Sequence, residues 1–265
     1  SVSGITKEVS KAVGQGFSEI TLLGQNVNSY DFEGIKFPEL LSSVAEISGV
    51  QRIRYTSPHP QDINEELLEV MQKYKNICNY IHLPLQAGSD RILKRMNRTY
   101  TKEHFIELAL KIRDYLPGVG ISTDIIVGFP GETDNDFEDT INVMNKVKFD
   151  SAYTFKYSPR KGTKATEYDD QIKESIKQDR LSKVIELQKS HTLLRNKIYV
   201  GSIENILIEK QSKRNKSMWT GRTDSNKWVV FDKSGYSVND IVPVLITESR
   251  GITLHGEISK KVKAA

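Results

Sequence analysis

Along the first 157 residues the apolar positions switch back and forth between two periods. Ile5, Val9, Ala12 and Val13 recur at helical spacing, Gly14 and Gly16 interrupt them, and the strand-like run SEITLLG follows at 18–24. The same alternation then repeats. A helix at 38–48 precedes a strand at 51–56, and a helix at 63–74, with Asp62 and Glu65 at capping-box spacing, precedes a strand at 79–85. Helices at 89–96 and 102–115 follow, the second capped by Thr101 and stopped by Pro117 and Gly118, and then come a strand at 119–127, a helix at 134–147 and a strand at 150–157. Five apolar strands, each preceded by a helix, predict an α/β fold with a parallel sheet and crossover helices, as an open sheet or a barrel. The first helix has no strand to cross over from, so a missing first strand-and-helix turn is expected.

The pattern changes after residue 170. A charged stretch punctuated by Leu and Ile predicts one or two long helices to 198, and Gly201 marks the break. From 202 to 258, short β-rich runs (IENILIE, WVVFD, IVPVLIT, LHGEIS) separated by polar turns predict a small all-β barrel. Two domains are therefore expected, 1–198 and 199–259, and the tail KKVKAA reads as disordered or as an added remnant.

Composition narrows the class only a little. No apolar run approaches the roughly 20 residues of a membrane span, and the opening SVSGITKEVS lacks the apolar segment of a secretory signal. The single cysteine excludes an internal disulfide and fits a reducing cytoplasm. The net charge of +4 is weak, but residues 196–265 hold twelve Lys/Arg against seven Asp/Glu, so the positive charge is concentrated in the β-rich end.

Barrels of parallel strands keep their chemistry at the C-terminal strand ends, and here those ends are polar. Asp124, inside ISTDIIV, shares a strand face with Ser122 and Ile126; a buried carboxylate needs a partner, which is an Arg, a ligand amine, a ribose hydroxyl or simply a structural ion pair. Gly128, Pro130 and Gly131 form a tight turn that allows close ligand approach, although turn chemistry alone also explains them. Gly88 and Ser89 lead into a helix start suited to an anion. His82 and Gln86 flank LPL with Arg98 beyond the next helix, a set able to clamp a carboxylate or ribose, while His82 alone also reads as a satisfied core residue. Gln25 and Asn26 end the first strand, and Ser57 with His59 the second. In the β-rich part, Lys210, Lys213, Arg214 and Lys216 run up to Trp219 and Arg222; cations interleaved with an aromatic suit RNA, and a solvated charged loop is the alternative. Cys78 reads as a small core residue without partners for a metal site.

The ordered series LLGQNVNSY (22–30), RYTSPHP (54–60), HLPLQAGSDRILKRMNR (82–98), TDIIVGFPGET (123–133) and SKRNKSMWTGRTDSNKWVVF (212–231) closely resembles the radical S-adenosylmethionine methylthiotransferases over nearly the whole chain. LLGQNVNSY is similar to the tRNA-modifying, MiaB-type branch, and the C-terminal part resembles a TRAM domain, a small RNA-binding β-barrel. The resemblance implies a radical-SAM (β/α)6 barrel, here lacking its first strand, followed by the TRAM barrel. It also implies S-adenosylmethionine and two 4Fe-4S clusters as cofactors, with the tRNA anticodon stem-loop and an electron donor as partners, no membrane, and a monomer as the expected state. In the implied reaction the first cluster cleaves S-adenosylmethionine to a deoxyadenosyl radical that removes hydrogen from isopentenyladenosine beside the anticodon. Sulfur arrives through the second cluster and methyl from another S-adenosylmethionine, giving 2-methylthio-isopentenyladenosine.

By the same resemblance, Gln25 and Asn26 lie where the cofactor's methionyl amino group is bound. Ser57, Gln86, Arg98 and Asp124 face its carboxylate, ribose and backbone, and Gly128 shapes the adenine edge. Lys213, Arg214, Lys216, Trp219 and Arg222 contact tRNA. The chain departs from the family in having no CxxxCxxC segment and no N-terminal cluster domain. It reads as the post-cluster part of such an enzyme, inactive alone and with no metal ligands of its own. A methylthiotransferase of the same fold acting on ribosomal protein S12, and a non-catalytic RNA-binding fragment, are the alternatives.

Overall fold

The computed structural model describes residues 1–56 and 58–259; Ser57 and the tail from 260 lie outside the described residues. Helix α1 (Val2–Gly14) leads to β1 (Glu19–Leu22), a short hairpin of β2 (Asp31–Phe32) and β3 (Ile35–Lys36), α2 (Phe37–Ala45), β4 (Arg52–Tyr55), α3 (Glu65–Lys73) and β5 (Tyr80–His82). Then come α4 (Asp90–Arg95), α5 (Lys102–Tyr115), β6 (Gly120–Val127), α6 (Asp134–Val147), β7 (Ser151–Lys156) and the long α7 (Glu174–Lys197). The five expected strands are all present, as β1, β4, β5, β6 and β7.

These five strands are parallel and lie side by side in sequence order. Thr21 stands opposite Arg54 in the β1–β4 pair, His82 opposite Ser122 in β5–β6, and Asp124 opposite Tyr153 in β6–β7. The two groups are joined where Ile53 N–H donates to Asn76 O (2.7 Å) and Cys78 N–H donates to Ile53 O (2.8 Å). Thr21 of β1 and Tyr153 of β7 line one common cavity of about 510 Å3, so the sheet curls into a barrel arc instead of lying open. Helices cover its convex side. Leu40, Leu41 and Val44 of α2, Leu67, Leu68 and Met71 of α3, Phe105 and Ile112 of α5, and Phe137, Val143 and Met144 of α6 are buried with the outward strand residues Ile53, Ile81, Ile121 and Ile125. Each such side chain contributes about 1.5–3 kcal/mol by leaving water, which fixes which strand face points inward.

Local signals fix the helix starts, with one correction. Thr101 caps α5 by accepting from His104 N–H (3.2 Å), as its position predicts. Helix α3 is capped by Asn64, not Asp62: its Oδ1 accepts from Leu67 N–H (3.0 Å), and Asp62 instead ends a 3-10 turn and accepts from the Ser29 hydroxyl. A side chain two residues nearer the helix wins because its oxygen reaches the free N–H groups of the first turn.

The second unit is a closed five-stranded barrel of β8 (Ile203–Gln211), β9 (Met218–Arg222), β10 (Trp228–Asp232), β11 (Ile241–Arg250) and β12 (Thr253–Ile258), in the order β10-β12-β11-β8-β9. Its own core holds Ile206, Ile208, Val229, Phe231, Val242, Val244, Ile246 and Leu254. Strand β9 has no counterpart among the strands expected from the sequence. Gly221 is obligatory there, because a Cβ would lie 2.1 Å from Leu207 O of the neighbouring strand.

The small barrel is bolted to the N-terminal ends of the parallel strands by the β9–β10 hairpin tip, residues 223–227. Arg52, 2% exposed, donates to Arg222 O (2.9 Å) and pairs with Asp224 (2.6 Å), and Arg54 donates to Thr223 O (2.9 Å). Gly120 at the start of β6 leaves room for the hairpin, since a Cβ there would meet Ser225 O at 2.3 Å. Beside it, the buried Asp150 carboxylate gathers Lys227 (2.8 Å), Arg195 (3.2 Å), Arg113 (3.7 Å) and the Ile121 N–H (3.0 Å). Burial lowers the pKa of Lys227 and of Arg113, the direction expected when cations leave water.

Candidate functional site at the mouth of the parallel strands

At the opposite end of the strands the main chain leaves three of the five through an unusual turn. Asn26 after β1 (φ 52°), Gln86 after β5 (φ 68°) and Gly128 after β6 (φ 71°) all occupy the left-handed region. Gln86 is buried and held there by both backbone groups: its N–H donates to Asp124 O and its O accepts from Ile126 N–H, each 2.8 Å. The ladder to β6 thus enforces a torsion that costs a non-glycine residue roughly 1–2 kcal/mol.

Arg98 is brought to the same place by a helix ending. Asn97 (φ 58°) follows α4 in the left-handed conformation, Arg98 N–H donates to Leu93 O (2.8 Å) and Asn97 N–H to Lys94 O (3.1 Å), the Schellman arrangement. Two residues on, the Tyr100 hydroxyl donates to Pro84 O (3.0 Å) and Leu85 O (3.1 Å), tying this segment to the exit of β5. Burial pushes the Tyr100 pKa up to about 12, so it remains a donor, and the charges of Arg98 and Asp124 both act on it. Arg98 Nε is buried with no hydrogen-bond partner among the described residues. Gln86 and Asp124 are thus joined through their main chains at the end of β5, and Tyr100 ties the segment that carries Arg98 to the same strand exit.

Asp124 projects to the concave side and its Oδ2 lies 3.4 Å from His82 Nε2. His82 Nδ1 is 2.8 Å from Ser122 Oγ, which in turn bonds the Tyr80 hydroxyl. Tyr153 of β7 sets its ring against His82 edge-on at 5.9 Å. His82 is thus a member of a polar chain on the inner face and lines the 510 Å3 cavity together with Arg54, Thr56, Tyr80 and Tyr153 and with Arg222 and Asn226 of the small barrel.

The other expected residues are dispersed. Gln25 and Asn26 are exposed at the end of β1. Gly128 is buried under α7, where a Cβ would meet Lys177 Cγ at 2.4 Å, and its N–H donates to Glu132 Oε2 (2.6 Å). Glu132 is paired with Arg180 (2.7 Å), and burial raises its pKa. The anion expected near Gly88 and Ser89 is supplied from within: Ser89 donates to Asp136 Oδ1 (2.5 Å), Arg91 pairs with the same carboxylate, and Gly88 packs against Thr140. Burial works against the charge of Asp136, yet bonds from Arg91, Ser89 and Thr133 hold its pKa well below the usual range.

Several site residues were not singled out in the sequence. Asn28 is buried and joins two strand exits, donating to His59 O (2.9 Å) and accepting from His59 N–H (2.7 Å). Tyr80 and Tyr153 were reachable by strand alternation from His82 and Asp124; Asn28 had no local signal, its partner being 31 residues away.

On the small barrel, Lys213, Arg214 and Lys216 are exposed in the β8–β9 connection. Trp219 is half-buried with Lys233 Nζ 4.1 Å from its ring centre. Arg222 is engaged, bonding Glu209 (2.9 Å) and Asn226 (2.8 Å) and lying over Trp228 at 4.2 Å. Lys210 lies 4.8 Å from the same ring.

A metal centre has no such basis. No group of three or more His, Cys, Asp or Glu able to hold a metal occurs among the described residues, and Cys78 is buried with its thiol pushed up to about 12 by loss of solvation. No helix among them is long and apolar enough to cross a membrane.

Comparison with known proteins places these features in context. The Radical SAM superfamily profile matches residues 1–144, and the TRAM domain profile matches 197–259. The tRNA-2-methylthio-N(6)-dimethylallyladenosine synthase of Clostridium tetani is 45% identical over 97% of this chain and 57% of that protein. The protein of the same name from Fusobacterium nucleatum is 47% identical over 96% of this chain and 59% of its own length. The chain thus spans a little over half the length of these curated relatives. Among solved structures, Escherichia coli coproporphyrinogen III oxidase (HemN), described as a Radical SAM enzyme, superposes with a TM-score of 0.55 at 12% identity, covering 84% of this chain and 59% of that one, a likeness of fold.

Proposed function

The chain belongs to the Radical SAM superfamily and ends in a TRAM domain, and from that premise we propose that it is the barrel and RNA-binding portion of a cytoplasmic enzyme that methylthiolates N6-dimethylallyladenosine in tRNA. The observation that carries this reading is the 45% identity to named synthases of that product across 97% of the chain. In this reading residues 1–198 form the barrel with its linker helix, and 199–259 the RNA-binding domain.

The residues at the mouth suit S-adenosylmethionine. A buried guanidinium nitrogen at Arg98 without a partner among the described residues, a partly exposed carboxylate at Asp124 and a carboxamide at Gln86 offer complementary partners for a carboxylate, ribose hydroxyls and an ammonium. When bound, that cofactor supplies the radical and the methyl group. Gln25 and Asn26 would take its methionyl amino group, and Gly128 would border the adenine. Tyr100 holds Arg98 against the β5 exit, and the His82–Asp124 contact keeps the carboxylate turned inward. The iron–sulfur clusters that the superfamily implies do not fit the residues described, which include one buried thiol, so the chain alone is expected to be inactive. Lys213, Arg214, Lys216, Trp219 and Arg222 are read as contacts to the anticodon stem-loop, and an electron donor is a further required partner.

The test uses the full-length protein, reconstituted with iron and sulfide and supplied with S-adenosylmethionine and a reductant. Nucleoside mass spectrometry should reveal a methylthio group on dimethylallyladenosine of tRNA. A methylthio group on ribosomal protein S12 with tRNA untouched would defeat the reading.

A further inference from the structure

Strand β7 exposes aromatic rings where the rest of the sheet is polar or covered. Tyr153 and Phe155 are 57% and 52% exposed, and period-two alternation puts both on the concave face, opposite Asp124 and Ile126. Two adjacent rings left in water on one strand are costly unless something lies on them.

Cations stand at both ends of this row. At the lower end a cavity of about 410 Å3 joins Tyr153 and Thr154 to Lys189 and to Arg222 and Trp228 of the small barrel. At the upper end the chain leaves β7 into a turn that presents Arg160, Lys161 and Lys164, all exposed and forming no ion pair among the described residues, whereas Lys156 just before is paired with Glu174. The turn is ordered: Gly162 sits at φ +85°, and Thr163 donates to Arg160 O through both its N–H (3.1 Å) and its hydroxyl (2.8 Å). No Asp or Glu occurs from 157 to 166. The six residues of β7 separate the two ends by about 20 Å.

We propose that β7 and the turn after it form a second RNA-contacting track, distinct from the TRAM loop. A single-stranded segment stacks bases on Tyr153 and Phe155 while its phosphates meet Arg160, Lys161 and Lys164. Flat rings leading to a turn of three exposed cations that form no ion pair among the described residues are what a polyanion with unpaired bases requires. The inference rests on the RNA-binding reading above but names side chains outside it.

Fluorescence anisotropy with labelled single-stranded RNA, repeated across salt concentrations, tests it on this chain. Replacing Tyr153 and Phe155 together by Ala should weaken single-strand binding tenfold or more and leave duplex RNA of equal length unaffected, while Tyr153→Phe alone retains affinity. Replacing Arg160, Lys161 and Lys164 by Ala should lower the salt slope by up to about 2 units. All of these side chains are exposed, so unchanged thermal unfolding serves as the fold control. If a Lys213→Ala, Arg214→Ala variant weakens binding but the β7 and turn variants bind as the parent does, the track is wrong and the TRAM reading survives. Equal losses on duplex and single strands would also overturn it. A parent chain that binds no RNA overturns both.

Discussion

The two ends of the parallel strands are built on opposite rules. At the N-terminal ends charges are paired: Arg52 with Asp224, Arg54 with Glu19, and Asp150 with three cations, beside the 223–227 hairpin. At the C-terminal ends polar groups are less satisfied among the described residues, with Arg98 Nε unpartnered, the Asp124 carboxylate 3.4 Å from His82, and Gln86 held in a torsion that glycine would prefer. Matched charges hold two units together, and the less satisfied ones are those proposed to meet S-adenosylmethionine. The same residue types thus serve as fasteners at one end and, in the proposed reading, as a binding surface at the other.

The sharpest way to break this contrast is at the fastened end. Asp150→Ala leaves the buried Lys227 and the half-buried Arg113 and Arg195 without this counter-charge and should cost about 3–5 kcal/mol in urea denaturation. A loss below about 1 kcal/mol would show that the cluster is solvated and holds nothing. At the unfinished end, Arg98→Ala or Asp124→Ala should weaken S-adenosylmethionine binding by the cluster-bearing full-length enzyme about ten- to a hundredfold in calorimetry, with little change in stability. Unchanged affinity would remove both from the cofactor site.

Gln86→Gly is expected to raise stability by about 0.5–1 kcal/mol, as release of the left-handed side chain outweighs glycine's added freedom, while cofactor affinity falls. A destabilised variant would mean that the buried carboxamide supports the fold. The smallest effect on folding belongs to Lys213→Ala with Arg214→Ala. Unfolding should be unaltered and the salt slope of tRNA binding lower by up to about 2 units; an unaltered slope would leave those side chains in water only.

Most of the strand architecture was legible because burial on the convex side writes apolar runs that local turns bracket. Strand β9 escaped because MWTGR has little apolar alternation and owes its place to Gly221, whose need is set by Leu207 on another strand. The α3 cap was misplaced by two residues because both Asp62 and Asn64 are good capping types, and only the chain geometry selects between them. At the mouth, Gln86, Arg98 and Asp124 stood out as polar interruptions of apolar runs. Arg52 and Arg54 gave no such sign, since their partners are 170 residues away.

Strand β9 also settles how the small barrel can be used. Its two ends lead to the clamped hairpin and to the basic loop at 212–217, and its five residues set these about 17 Å apart. With one pole gripped like a bit in a chuck, swivelling is forbidden and the free pole keeps a constant bearing on the strand exits. In the proposed reading, an RNA held at that pole is presented to the strand exits at a set angle and reach.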